Sequence, residues 1–95
     1  MKEKILALHP DKNKQPVRID KVKYEMMRAA IVSALRANAG ITFSELAKMV
    51  QDRLAGRFEG SIMWYVTTVK LDLEARKIIQ RVPKSSPQRL RLLKQ

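Results

Sequence analysis

Ninety-five residues give room for one small domain, which buries only roughly 60 to 65% of its unfolded surface and leaves little space for large insertions or a deep catalytic cavity. Twenty Lys/Arg against nine Asp/Glu give a formal net charge of +11, which favours a polyanionic partner, while the lack of cysteine and the single histidine exclude disulfides, thiolate metal sites and His-rich ones, so no metal or cofactor is expected. No apolar run approaches the ~20 residues needed to span a bilayer, Arg28 and Arg36 interrupting the longest, and no signal-peptide pattern opens the chain, so a cytoplasmic protein without membrane contact is expected.

Residues 1–18 carry Pro10, Pro16 and a Lys12-Asn13-Lys14 turn, and read as an irregular N-terminal arm ahead of a domain spanning 19–95. Asp20 is a candidate N-cap for the first helix, with Ile19 and Tyr24 at hydrophobic-staple spacing, and the helix runs from about Lys21 to Asn38. Tyr24, Met27, Ile31, Ala34 and Leu35 define one apolar stripe, and Gly40 supplies the left-handed residue beyond its end.

Thr42 and Glu45 stand at capping-box spacing, with Ser44 an alternative cap, ahead of a second helix that continues to about Leu54, and Ile41 to Phe43 is short enough for a minimal strand. Leu46, Val50 and Leu54 form its buried line, and Ala47 allows a close helix approach. The third helix opens at Gly60 or Ser61 and extends to about Lys77, with Ile62, Val66, Val69 and Leu73 on its core face. The period then changes: Ile78 to Val82 is β-rich, Pro83 to Gln88 is turn chemistry, and Arg89 to Leu93 alternates basic with apolar residues. This predicts a hairpin with Leu90 and Leu92 inward, Arg89 and Arg91 outward and Lys84 at its tip.

Charge is unevenly spread along these elements. Residues 1–23 have a balance of +4, residues 24–76 of +1, and residues 77–95 hold six basic and no acidic side chains. A solvated face is the plain explanation of such an excess; an acid-free hairpin is harder to attribute to solubility alone.

Three helices followed by a basic hairpin, with "ITFSEL" leading into the second helix and "LDLEARKIIQRV" running from the third helix into a strand, resembles a winged helix-turn-helix domain over about Lys21 to Leu93. "LEARKIIQR", Leu73 to Arg81, is similar to the helix-to-wing junction of bacterial winged-helix regulators, with Lys77 where their glycine stands. The chain also resembles a small group of one-domain bacterial winged-helix proteins of unknown function, with "GSIMWYVTTVKLDLEAR" as the shared signature. The resemblance implies a mainly α fold with a C-terminal two-stranded wing.

It further implies binding to double-stranded DNA, with Met63, Thr67, Thr68 and Lys70 of the third helix reading base edges in the major groove. Phosphate contacts would come from Lys84, Ser85, Ser86, Arg89 and Arg91 on the wing and from Arg53 and Arg57 at the end of the second helix. For any one of these cations taken singly, a solvated surface charge is an equally good account.

One feature of the third helix points elsewhere. Trp64 and Leu71 fall on the side opposite its core stripe, and residues 61–76 carry only two basic side chains against two acidic ones. A contiguous apolar face needs a cover, whether the N-terminal segment with Ile5, Leu6 and Leu8, a second copy, or another protein. Cover by the N-terminal segment would block groove insertion by that face and leave the wing and arm to hold nucleic acid.

Catalysis has little support: there is no Cys nucleophile, His9 is the only imidazole, acidic residues lie singly, and no glycine-rich phosphate loop is present. "LHPDKNK", Leu8 to Lys14, resembles the His-Pro-Asp loop with which J-domain co-chaperones stimulate their ATPase partners. That loop joins two long helices, whereas here only eight residues precede His9 and Pro16 stands where the next helix should start. His9-Pro10-Asp11 is therefore read as a turn. The sequence supports a non-enzymatic DNA-binding winged-helix protein, a small transcriptional regulator or nucleoid-associated factor. The alternative is a protein-interaction module using the Trp64/Leu71 face of the third helix, without DNA binding.

Overall fold

In the computed structural model, which describes residues 3–93, the first helix starts where its cap chemistry places it. The Asp20 carboxylate accepts the Val22 N–H at 2.9 Å and the Lys23 N–H at 3.4 Å, satisfying two of the donors a helix start leaves open. Helix α1, Lys21–Ala37, follows. Thr42 and Glu45 complete a reciprocal capping box at the start of α2, Phe43–Leu54, and the Ser61 hydroxyl accepts the Trp64 N–H at 3.1 Å at the start of α3, Ile62–Ala75.

The N-terminal segment is not irregular. Strands β1, Lys4–Ala7, and β2, Val17–Asp20, form an antiparallel hairpin in which Ile5 faces Ile19 and Ala7 faces Val17, and a domain boundary at residue 18 would cut through β2. Each strand has only four residues and a proline-containing loop separates them, so neither period-2 patterning nor a tight-turn signal announces the pair. Ile19 and Ala7 are buried in the common core, which anchors the hairpin to the helices.

A second sheet joins a two-residue strand β3, Ile41–Thr42, to β4, Ile79–Arg81, and β5, Arg89–Leu92, in the order β3-β5-β4, all antiparallel. Strand β5 is therefore central, with Ile41 opposite Leu90, and Leu92 opposite Ile79. The fold is thus three helices with two small antiparallel sheets, and its Cα radius of gyration, 12.9 Å, is close to the ~12.4 Å of a compact chain this long.

The expected stripes meet at the centre. Met27, Ile31 and Leu35 of α1, Leu46 and Val50 of α2, Val66, Val69 and Leu73 of α3, with Ile79 and Leu90 of the second sheet, are all buried, while Leu92 is half-buried. Helix α3 ends earlier than its apolar pattern suggests. Lys77 adopts φ of 63°, and the Lys77 N–H bonds the Glu74 carbonyl at 3.1 Å while the Ile78 N–H bonds Leu73 at 2.9 Å. Those two bonds form a Schellman stop, with a lysine in the left-handed position usually given to glycine.

Candidate nucleic-acid interface

Because β5 is central and side chains alternate across it, Arg89 and Arg91 share the solvent face of the sheet, flanked by Thr42 on β3 and Gln80 on β4. The Arg89 guanidinium donates from Nη1 to the Gly40 carbonyl at 2.8 Å. Gln80, with its side-chain oxygen towards Arg91, accepts from Nε and Nη2 at 2.7 Å. Both partners are neutral, so each guanidinium is oriented without its charge being cancelled. Among the described residues no carboxylate lies within salt-bridge distance of Lys84, Arg89 or Arg91, although Glu45, in the α2 capping box, is near enough to Arg89 to feel its charge.

The hairpin loop separates its serines. Ser85 donates its hydroxyl to the Val82 carbonyl at 2.8 Å and accepts the Arg89 N–H at 3.2 Å, so it closes the loop and has no proton left for a phosphate. Ser86 is exposed, and so is Lys84, held at the tip with φ of 59°. Arg53 is exposed in the last turn of α2. Arg57 lines a cleft of about 610 Å³ with Glu25 and Glu59, none of whose walls belongs to the β4-β5 hairpin. The structure therefore does not group Arg57 with the β4-β5 hairpin.

The base-reading set on α3 is dispersed. Met63 and Thr67 are exposed on successive turns, with the Thr67 hydroxyl donating to the Met63 carbonyl at 2.9 Å, and Thr68 is half-buried. Lys70 does not face solvent. It is 5% exposed, its Nζ lies 3.2 Å from Glu74 Oε1, and it sits 5.5 Å from the Phe43 ring centroid. Burial pushes its pKa down, opposed by the Glu74 carboxylate. With its position fixed beneath the α2 N-terminus, Lys70 cannot reach a base edge. Helical spacing placed it on a polar flank, but the sheet and α2 close over that flank.

Trp64 is 46% exposed and Met63 43%, whereas Leu71 is half-buried, so the open apolar patch is Met63/Trp64 and not Trp64/Leu71. Trp64 stacks edge-to-face on Tyr65 at 4.9 Å, and Tyr65 on Phe58 at 5.0 Å, with the Lys23 ammonium 5.4 Å from the Tyr65 ring centre. The N-terminal segment leaves Trp64 uncovered because it is fastened near the other end of α3.

That fastening centres on Asp72, fully buried. Its Oδ1 accepts the Leu8 N–H at 2.8 Å, its Oδ2 accepts the Tyr24 hydroxyl, and Arg76 Nε binds both oxygens at 2.8 and 3.0 Å. Arg76 also donates from Nη2 to the Leu6 carbonyl at 3.0 Å. Burial first, and then the hydrogen bond and negative charge of Asp72, push Tyr24 up to about 12. One carboxylate thus ties the first hairpin, α1 and α3 together. A second carboxylate, Glu74, bridges Lys70 and Arg81 through Oε1, while its buried Oε2 has no hydrogen-bond partner among the described residues.

Neither carboxylate's burial is legible in the sequence. Asp72–Arg76 and Lys70–Glu74 are visible as i,i+4 pairs, but nothing local shows that they are buried instead of lying on a wet surface. Among the described residues no group of three metal-ligating side chains converges, and no helix is long and apolar enough to cross a membrane.

Comparison with curated proteins and with solved structures returns no match. A family model matches residues 4–90, from the first strand of the N-terminal hairpin to the middle of β5. The chain therefore belongs to that family, the family of unknown function DUF6958.

Proposed function

We propose that this protein is a non-enzymatic winged helix-turn-helix protein that binds double-stranded DNA, acting as a small transcriptional regulator or nucleoid-associated factor. The fold reading is supported by the element order from α1 through β3, α2 and α3 to β4 and β5, and by the sheet order β3-β5-β4. The observation that carries the function is the wing: Arg89 and Arg91 project from the central strand, each steadied by a neutral acceptor, in a segment with no acidic residue. Fluorescence anisotropy of a labelled mixed-sequence duplex at low salt tests it. Wild-type protein should bind, and Arg89→Ala with Arg91→Ala should weaken binding at least tenfold; an unaffected double variant would remove the wing from the interface.

A second reading, docking of another protein on α3, is favoured by one observation, the exposed Met63/Trp64 pair. It predicts that the wild-type protein shows no duplex binding even at low salt and that Trp64→Ala abolishes capture of the protein partner.

A further inference from the structure

The hairpin that the sequence does not announce adds a second basic element beside the wing. Its loop carries Lys12 and Lys14, both exposed. The start of that loop, His9 to Asp11, forms one wall of a cleft of about 560 Å³ whose other wall includes Lys77, Gln80 and Arg81 at the root of β4. The left-handed conformation that stops α3 holds Lys77 at this wall. Gln80 belongs both to the cleft and to the solvent face of the sheet, where it binds Arg91 at 2.7 Å, and Arg91 shares that face with Arg89. The cleft and the arginine row are therefore continuous.

We propose that a nucleic-acid strand follows this track across the solvent face of the β3-β5-β4 sheet and into the cleft between the two hairpins, with its phosphates met by Arg89, Arg91, Arg81, Lys77, Lys12 and Lys14. Three acidic residues border the track, Glu45, Glu74 and Asp11, against six cations along it; Glu45, close enough to Arg89 to feel its charge, is held in the α2 capping box by the Thr42 N–H at 2.9 Å. Glu74 sets one negative charge against the two positive charges of Lys70 and Arg81, which leaves one in surplus, while Asp11 accepts the Asn13 N–H at 2.9 Å and keeps a charge that Lys12 and Lys14 outnumber. Residues two apart on a strand lie roughly 6.6 to 6.8 Å apart, so Arg89 and Arg91 stand at a spacing comparable to that of neighbouring phosphates on one strand. The exposed residues of α3, by contrast, are Met63, Trp64 and Thr67, all uncharged, and the cation of its third turn, Lys70, is buried. Contacts of this kind hold backbone and leave bases unread, so the track predicts affinity with little sequence preference.

This inference rests on the nucleic-acid reading, and the slope of log K against log salt separates the two. With full-length protein and a mixed-sequence duplex, Lys77→Gly should make the slope shallower by about 0.9, and Lys12→Ala with Lys14→Ala by about 1.8, one increment for each phosphate no longer neutralised. Lys77→Gly removes the ammonium while giving the left-handed position a residue that favours it, so a change there is not a folding defect. Met63→Ala with Thr67→Ala should leave the slope where it is. Unchanged slopes for the lysine variants with wild-type binding intact would overturn the track and leave the nucleic-acid reading standing. Absence of wild-type binding at low salt would remove both.

Discussion

The Tyr24 hydroxyl donates to the Asp72 carboxylate, linking the first turns of α1 to the C-terminal half of α3 at a point where no side-chain atom of Asp72 reaches solvent. A buried carboxylate is tolerable only with partners, and Asp72 has three: this phenol, the Arg76 guanidinium and the Leu8 N–H. Asp72→Ala should therefore destabilise the fold by about 3 to 5 kcal/mol, a large share of the ~5 to 15 kcal/mol that holds a small domain together. Tyr24→Phe keeps the ring and leaves the carboxylate its other partners, so about 1 to 3 kcal/mol is expected. Urea unfolding of the two variants measures both, and a loss below 1 kcal/mol for Asp72→Ala would show that the network does not anchor the hairpin.

The same contact sets an alkaline limb. Tyr24 titrates at about 12 in the fold against an ordinary value of 10.0, so its contribution is complete below pH 10 and is lost as pH rises towards 12, on the order of 2 kcal/mol. Lys70, pushed down by burial, works in the opposite direction as pH rises, but it is present in both wild type and Tyr24→Phe. The stability difference between those two proteins should therefore be constant from neutral pH to pH 10 and shrink above it. A difference that stays constant to pH 12 would contradict the assignment.

Lys77 occupies a backbone conformation that costs a side-chain-bearing residue about 1 kcal/mol. Lys77→Gly should raise the stability by about 0.5 to 1 kcal/mol, or the melting temperature by a few degrees, read by thermal unfolding. A lower melting temperature would mean that the ammonium makes a stabilising contact outweighing the strain.

Lys70 separates a helix that reads DNA from one that does not. Lys70→Gln should destabilise the fold by roughly 2 to 3 kcal/mol, since it leaves Glu74 with only Arg81, while duplex affinity of the folded protein stays within about twofold. A tenfold loss of affinity with the fold intact would restore Lys70 to the interface.

The caps and stripes of the helices were legible because their signals are local. The Asp20 cap, the Thr42/Glu45 box and the apolar residues of α1 and α2 all sit where short-range chemistry puts them. The outward alternation of Arg89 and Arg91 was equally legible, since period 2 needs only four residues to declare itself. Three features were not. Strands β1 and β2 are stabilised by Ile19 and Ala7 packing into a core assembled from distant elements, a tertiary effect with no local trace. Lys70 and Leu71 looked exposed because a helical wheel does not say how many neighbours surround the helix. The cleft beside Lys77 depends on both hairpins at once, and one of them was unseen.

The most direct test of the account is the salt dependence of duplex binding by the wild-type protein, followed by fluorescence anisotropy from low to physiological salt with Trp64 emission recorded alongside. Four to six phosphate contacts predict a slope of log K against log salt of about −4 to −5, made shallower by Arg89→Ala with Arg91→Ala. Failure to bind at low salt, or binding whose slope is near zero, would contradict the nucleic-acid assignment and leave the Met63/Trp64 patch as the surface to pursue.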